Sequence, residues 1–397
     1  MNTSLMAPFF PLAASRKGLS MAWIGAICGI SDISLLIVSV LIPFIANEGN
    51  TRMFYTSAVT ISALSMISFG LLVQINNFDL FISLCLLSRA IMGFSIGTIY
   101  SCAVVVIANI YSNKSGLIIS CMQGMQGLGM ALGPFIGGIL FSIGGFTLPF
   151  AVIGLTELFL SLLSALTTPR VPSKSDSKQI MYEERQPEMD YRKILRFLLL
   201  SYPYFHNLVY TSFRDVALAV FLKENFLLNE DSNYFVFSVY GICSALTTPI
   251  SGILIEKGYG IIAFLLSQLF MFFVLLGFTI LELPILNRLC FVYIIIVFNS
   301  IGNPTLISTS FLVLEKELET FLQKSINSIR LLVSMWMSFL RSLGRLIGSI
   351  FVAGLLFEHY NFHKCCFGLV ILNGISLVIS VILFNKDICK KVYYKKI

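Results

Sequence analysis

The sequence Gly127-Leu128-Gly129-Met130-Ala131-Leu132-Gly133-Pro134-Phe135-Ile136-Gly137-Gly138 lies in the middle of an apolar stretch. Gly129, Gly133 and Gly137 lie four residues apart, which places them on one helix face where a second backbone can approach closely. Pro134 removes one helical hydrogen bond and permits a bend. The run therefore indicates a bent helix that packs tightly against its neighbours.

The composition of the whole chain is that of a membrane protein. Of its 397 residues, 57% are hydrophobic and only 12% are charged, whereas soluble domains are roughly 45–50% apolar and about 25% charged. The chain is therefore too apolar to be a soluble or a disordered protein. The nine cysteines lie mostly inside apolar runs at no regular spacing, so we interpret them as packing residues. We infer an all-α polytopic membrane protein.

Eleven apolar stretches are long enough to cross a bilayer core about 30 Å thick, which takes roughly 20 helical residues. They cover approximately residues 20–46, 53–75, 80–108, 117–141, 147–167, 194–222, 233–255, 260–281, 289–314, 326–357 and 365–384. Residues 1–14 carry a shorter apolar run with Pro8 and Pro11, which we interpret as the second half of a first helix. The sequence predicts about 12 transmembrane helices, the first of them truncated.

Residues 168–193 interrupt this pattern with dense charge and three prolines. They divide the chain into an N-terminal bundle (1–167, helices 1–6) and a C-terminal bundle (194–385, helices 7–12), followed by a basic tail (386–397). Loop lysines and arginines concentrate on the side of the central loop and the C-terminus, which the positive-inside rule assigns to the cytoplasm. We expect the tail to contact anionic lipid.

The proline and double glycine of residues 127–138 resemble the fifth-helix antiporter motif of the major facilitator superfamily. Arg89-x-x-x-Gly93 and Pro249-x-x-Gly252 are similar to segments of its vesicular amine and polyamine transporter branch, which is solute carrier family 18-like. A Leu-Gly-x-x-x-Gly pattern occurs in both halves, as in transporters built from parallel repeats. The conformational motif comprises Gly129, Gly133, Pro134, Gly137, Gly138, Gly252, Glu256, Gly344 and Gly348.

The resemblance implies the major facilitator fold, in which two six-helix bundles expose a central site alternately to each side of the membrane. It implies a transporter rather than an enzyme, with no cofactor and no metal. The expected activity is proton-coupled antiport of an organic cation, a polyamine or a monoamine, across a vesicle, endolysosomal or plasma membrane. Its partners would be the small-molecule substrate, protons and the lipid bilayer. We expect a monomer that binds no nucleic acid.

Two departures from that branch keep other functions open. Gln123 stands where the resembling transporters place a glutamate, and Arg341 and Arg345 lie one turn apart on one face of the eleventh helix. Losing a carboxylate and gaining guanidinium groups disfavours a cationic substrate. The alternatives are an organic-anion transporter of the same fold and a non-transporting relative that acts as a sensor or partner.

Charged side chains inside a membrane span are costly, so they usually face a cavity or a charged partner. Asp32 is the deepest carboxylate and our first candidate to carry the proton, ahead of Glu157 and Asp215. Buried amide and phenol groups could line a pocket. The candidate substrate or coupling residues are Asp32, Arg89, Gln123, Gln126, Tyr210, Tyr240, Asn299, Asn303, Arg341 and Arg345.

Overall fold

The computed structural model describes residues 5–45, 51–110, 115–167, 191–226, 230–282, 289–321 and 326–394, and these contain helices and turns but no strand. The twelve helices are α1 (Phe10–Arg16), α2 (Met21–Ile45), α3 (Thr51–Leu71), α4 (Phe78–Ile110), α5 (Ser115–Gly144), α6 (Thr147–Thr167), α7 (Tyr191–Phe226), α8 (Glu230–Glu256), α9 (Gly260–Ile280), α10 (Leu289–Phe321), α11 (Ile326–Leu346) and α12 (Phe362–Tyr394). A 3₁₀ turn, Leu72–Gln74, follows α3. A π-helical segment, Ile347–Leu356, extends α11 and ends in the short turn Phe357–His359.

Short turns join several of these helices as antiparallel neighbours. Gly145 follows α5 with φ of 66°, and Gly258 follows α8 with φ of 81°. This left-handed conformation is low in energy for glycine, whereas a Cβ atom on another residue would clash with the backbone. At the end of α8, the amides of Gly258 and Tyr259 donate to the carbonyls of Ile255 and Leu254, which closes the helix. Each glycine therefore stops one helix and lets the chain reverse.

Within the described residues, nine helices are long and apolar enough to cross a membrane. The other three are α1, α5 and α7. Helix α1 has only seven residues, and the apolar part described for α5 is Leu132–Gly144. Helix α7 spans 36 residues but buries polar and charged side chains, including Arg214 and Asp215. These side chains lower the hydropathy of α7.

The helices form two six-helix bundles, as predicted. In the first bundle α2 packs on α4, α3 packs on α4 and α6, and α5 packs on α6. In the second, α9 packs on α10 and α12, α8 packs on α10, and α7 packs on α10, α11 and α12. The bundles meet where α2 contacts α11 and its π-helical extension, and where α5 contacts α8.

The C-terminal bundle begins earlier and ends later than the predicted bounds of residues 194 and 385. Helix α7 begins at Tyr191, before the predicted residue 194, and α12 continues to Tyr394, beyond the predicted residue 385. Neither glycine nor proline occurs in the last twenty residues of α12, so nothing in the backbone ends the helix where the apolar stretch ends. Most of the predicted tail is therefore a helical extension of α12. Residues 168–190 of the central loop lie outside the described part of the chain.

Two glycines of the predicted conformational motif lie where α11 and its extension cross α7. A Cβ atom on Gly348 would overlap the carbonyl oxygen of Val209 and lie 2.9 Å from Cβ of Ser212 in α7. A Cβ atom on Gly344 would lie 3.0 Å from Cβ of Leu208. Helix α11 thus approaches α7 closely at two successive turns.

The remaining motif positions vary in environment. A Cβ atom on Gly137 would overlap the side chain of Leu5, so α5 crosses the N-terminal segment closely. Gly133, Pro134 and Gly138 are buried, Gly129 is half-buried, and Glu256 is exposed. At Gly252 an added Cβ would meet no described atom within 4 Å. The packing of the described residues therefore does not require glycine at position 252.

We expect Gly348→Val to destabilise the protein, because the added side chain must push α11 away from α7. Overpacking of this kind typically costs about 1–3 kcal/mol. Thermal unfolding of the purified protein in detergent should show a lower midpoint. Gly252→Ala is the matched control and should leave the midpoint unchanged or raise it slightly. Equal midpoints for the two variants would contradict the close crossing.

Candidate functional site

A row of buried charges crosses the interface between the two bundles. Asp32 of α2 accepts a hydrogen bond from Arg345 of α11, with 3.3 Å between Oδ1 and Nε. Nη1 of Arg345 lies 3.7 Å from Oδ2 of Asp215 in α7. Asp215 in turn accepts hydrogen bonds from its neighbour Arg214, the shorter of which is 2.7 Å long. Arg345 therefore connects a carboxylate of each bundle.

These charges are almost completely removed from solvent. The exposed fraction is 5% for Asp32, 7% for Arg345, 4% for Arg214 and 9% for Asp215. Burying an ion is expensive, and removing one partner of a buried pair typically costs about 3–5 kcal/mol. The pairing therefore stabilises the contact between the bundles in this arrangement.

Arg89 of α4 lies beside this row and is 2% exposed. Its Nη2 donates to the hydroxyl of Ser31, 2.8 Å away, and its Nη1 lies 2.8 Å from Sδ of Met92. One turn further along α4, a Cβ atom on Gly93 would overlap the backbone carbonyl of Ser31. The small residue at position 93 thus lets α4 approach α2 closely enough for Arg89 to reach residue 31. This is a packing reason for the Arg89-x-x-x-Gly93 motif.

Two further arginines of the site, Arg214 and Arg341, each contact a tyrosine side chain. The guanidinium of Arg214 lies 4.1 Å from the ring centre of Tyr240, a cation–π contact. Nε of Arg341 lies 3.5 Å from the hydroxyl of Tyr204. Although Arg341 and Arg345 are one turn apart, Arg341 contacts a phenol and Arg345 contacts carboxylates. The two arginines therefore have different surroundings.

A polar cluster joins α7 and α10 within the second bundle. Asn207 donates to Asn303 at 3.1 Å, and Asn303 donates to Thr211 at 2.9 Å. Asn299, one turn from Asn303, is fully buried, and neither of its amide atoms has a hydrogen-bond partner among the described residues. The hydroxyl of Tyr210 is also buried without a described partner. Such groups are costly to bury, so this cluster can offer hydrogen bonds to a polar ligand.

Two cavities adjoin these elements. A small one of about 20 Å³ lies between the bundles, lined by Met6, Ala7, Pro11, Cys28, Arg89, Ser212, Asp215, Val216 and Arg345. A larger one of about 520 Å³ opens where α1, α7 and the α11 extension end and α12 begins. Its lining includes the carboxylates Glu224 and Glu358 and the rings of Phe221 and Phe357.

The structure brings several of the sequence candidates together, and some of their contact partners were not predicted. Asp32, Arg89 and Arg345 lie together, Tyr240 joins them through Arg214, and Tyr210, Asn299 and Asn303 lie on α7 and α10. The side chains of Gln123 and Gln126 are outside the described residues. Ser31, Arg214 and Tyr204 were not predicted as site residues. The adjacent charges Arg214-Asp215 inside an apolar helix were the only sequence signal for this part of the site.

Among the described residues, no three His, Cys, Asp or Glu side chains converge as metal ligands would. The charged and polar side chains that the structure describes at the site offer charge pairing and hydrogen bonding. The alternating guanidinium and carboxylate groups can exchange partners, a carboxylate among them can take up a proton, and the larger cavity can admit a small polar solute.

Comparison with known proteins identifies the family. The family model described as Major Facilitator Superfamily matches residues 1–349. The mouse MFS-type transporter SLC18B1 is 26% identical over 259 residues, which cover 65% of this chain and 55% of the mouse protein. The human protein of the same name is 25% identical over 254 residues, covering 64% of this chain and 54% of its own length. The match thus spans about half the length of these relatives.

Solved structures share the fold. A bacterial homologue of the human lysosomal transporter Spinster, in an inward-facing and unoccupied conformation, has a TM-score of 0.63 at 15% identity, covering 96% of this chain and 91% of its own. A variant of the nucleoside transporter NupG has a TM-score of 0.66 at 13% identity, covering 96% and 97%. With the two six-helix bundles and the match over residues 1–349, these likenesses show that the chain belongs to the major facilitator superfamily, whose members are multi-pass membrane transporters and not enzymes.

Proposed function

We propose that this protein is a secondary active transporter that moves a small organic solute by alternating access, in exchange for protons. The observation that carries the proposal is the ion pair between Asp32 and Arg345, because it joins the two bundles. In alternating access the bundles rock against each other around a central site. Any movement that separates α2 from α11 must break this pair.

Protonation of Asp32 would lower the cost of that separation. A neutral carboxyl group attracts Arg345 much less strongly than a carboxylate does. Arg345 would not be left without a counter-ion, because Asp215 of its own bundle lies 3.7 Å away. A proton on Asp32 would therefore release the contact between bundles while Arg345 stays paired within the second bundle. This is a direct way to couple proton binding to rocking.

The moving units would be the bundles predicted at residues 1–167 and 194–385. Placing the central loop and the C-terminus in the cytoplasm puts the larger cavity on the opposite side, because α7 starts at the central loop and ends at this cavity. That side would be the lumen of a vesicle or endolysosome, or the cell exterior. Solute would enter or leave the protein there.

An organic cation, such as a polyamine or monoamine, is the substrate class we favour. The resemblance to the vesicular amine branch supports it, and so does the lining of the larger cavity. Glu224 and Glu358 supply negative charge there, while Phe221 and Phe357 supply aromatic faces that attract cations. An organic anion is the second candidate, because arginines outnumber carboxylates in the buried row. A sensor or partner without transport activity is the third.

Replacing Asp32 with Asn should abolish uptake driven by a pH gradient in proteoliposomes, because an amide cannot carry the proton. Exchange of labelled for unlabelled solute, which needs no net proton movement, should continue. Retained exchange would show that the variant is folded and can still rock. Asp79→Asn, at an exposed site at the start of α4, is the matched control and should keep both activities. Undiminished pH-driven uptake by Asp32→Asn would remove Asp32 from the coupling mechanism.

Labelled spermidine, a monoamine and a dicarboxylate should be compared as substrates, with and without an ionophore that collapses the proton gradient. We expect ionophore-sensitive accumulation of an amine. Accumulation of the dicarboxylate alone would favour the organic-anion transporter. If none of the three is transported, the non-transporting relative would become the leading interpretation.

The double variant Glu224→Gln/Glu358→Gln should raise the KM for amine uptake with little change in the maximal rate. Exposed charge pairs contribute about 0.2–1 kcal/mol each, so the expected rise in KM is roughly 2- to 30-fold. The measurement is initial uptake against amine concentration at low and high salt. Because salt screens exposed charges, the difference from the wild type should shrink at high salt. An unchanged KM at low salt would exclude the larger cavity from amine recognition.

A further inference from the structure

Among the residues that the structure describes, the buried charges at the interface do not balance. Along the row, Arg345 contacts Asp32 on one side and Asp215 on the other, and Asp215 also contacts Arg214. Arg89 lies next to this row through its hydrogen bond to Ser31. Three guanidinium groups therefore accompany two carboxylates, which leaves one positive charge in excess.

The two ends of the row differ in how their charge is compensated. Arg214 has Asp215 at 2.7 Å and the face of Tyr240 at 4.1 Å. Arg89 has only a hydroxyl and a thioether sulfur as partners, and its Nε has no hydrogen-bond partner among the described residues. No described carboxylate lies within ion-pair distance of Arg89. The uncompensated charge is therefore at Arg89, which is only 2% exposed.

The small cavity extends along this row from Arg89 to Asp215. Its volume of about 20 Å³ is enough for one water-sized group, since a single water needs roughly 10–15 Å³. Arg89 and Arg345 both line it, one from each bundle. Nη1 of Arg345 has no hydrogen-bond partner among the described residues. The hydroxyl of Ser212 is a further donor in the wall, and Asp215, also in the wall, is already engaged by Arg214.

We propose that this cavity binds one small anionic group between Arg89 and Arg345, either a halide ion or a carboxylate oxygen of an organic anion. Such a group would supply the negative charge that Arg89 lacks and accept hydrogen bonds from both arginines. Because the two arginines belong to different bundles, the bound anion stabilises the arrangement in which the bundles are in contact.

Equilibrium binding of radioactive chloride to the purified full-length protein tests this directly. Gluconate, which is too large for the cavity, should replace chloride at constant ionic strength. We expect saturable binding of one chloride per chain and a rise in the unfolding midpoint with chloride that gluconate does not reproduce. A folded protein that binds neither chloride nor formate would overturn the proposal and indicate that the cavity holds water.

Three variants locate the site. Arg89→Gln should weaken chloride binding at least tenfold, because it removes the excess charge. Cys28→Leu should weaken binding to a similar degree by filling the cavity, with every charge retained. Arg196→Gln is the matched control, because Arg196 pairs with Glu317 at 2.9 Å, outside the cavity lining. Chloride binding that is unchanged in both Arg89→Gln and Cys28→Leu would overturn the proposal. If one of the two variants does not fold, unchanged chloride binding by the other is enough to overturn it.

Competition distinguishes the two sources of the anionic group. Formate and acetate should displace chloride if the site accepts any small carboxylate. A dicarboxylate that displaces chloride and is also transported would identify the group as part of the substrate. Chloride binding that a transported amine does not displace would identify the anion as a separate ligand. Either result supports the site. If gluconate displaces chloride as strongly as formate does, the site is not the small cavity proposed here.

Discussion

The ion pair between Asp32 and Arg345 determines how the two bundles meet. Each partner is buried and belongs to a different bundle, so the pair links α2 of the first bundle to α11 of the second. Asp215 offers Arg345 a second carboxylate within its own bundle. The interface therefore contains an arginine with two possible partners, one on each side. A group that can exchange partners at low cost is what a rocking transporter needs at its centre.

Close backbone contacts make this pairing possible. A Cβ atom on Gly25 in α2 would overlap the carbonyl oxygen of Ser349, which lies just beyond Arg345. Gly348 brings the same stretch against α7, so α2 and α7 both approach α11 next to Arg345. The segment Ile347–Leu356 is π-helical, a conformation often found at functional sites. Because glycine has no Cβ atom, these positions let the helices come close enough for the ion pair to form. Larger residues there would separate the charges.

Charge also differs between the two cavities. The larger cavity carries exposed carboxylates and aromatic rings, whereas the smaller one carries two buried arginines. An amine entering from the larger cavity would meet favourable charge first and guanidinium groups further in. A small anion held by Arg89 and Arg345 would reduce that repulsion at the centre. The proposed anion site and the proposed amine transport are therefore compatible.

The sequence by itself determined the membrane class, the helix number, the two bundles and Arg89, Asp32 and Arg345 as candidates. These follow from apolar length and from the cost of charge in a membrane, which are local properties. Only the tertiary structure decided which charges pair, that Arg341 contacts Tyr204 while Arg345 contacts Asp32, and that α11 continues as a π-helix. The partners of Arg345 are more than a hundred residues away in sequence, and fully apolar helices show no periodicity that reveals which faces meet. Pairing depends on helix packing, which no local pattern encodes.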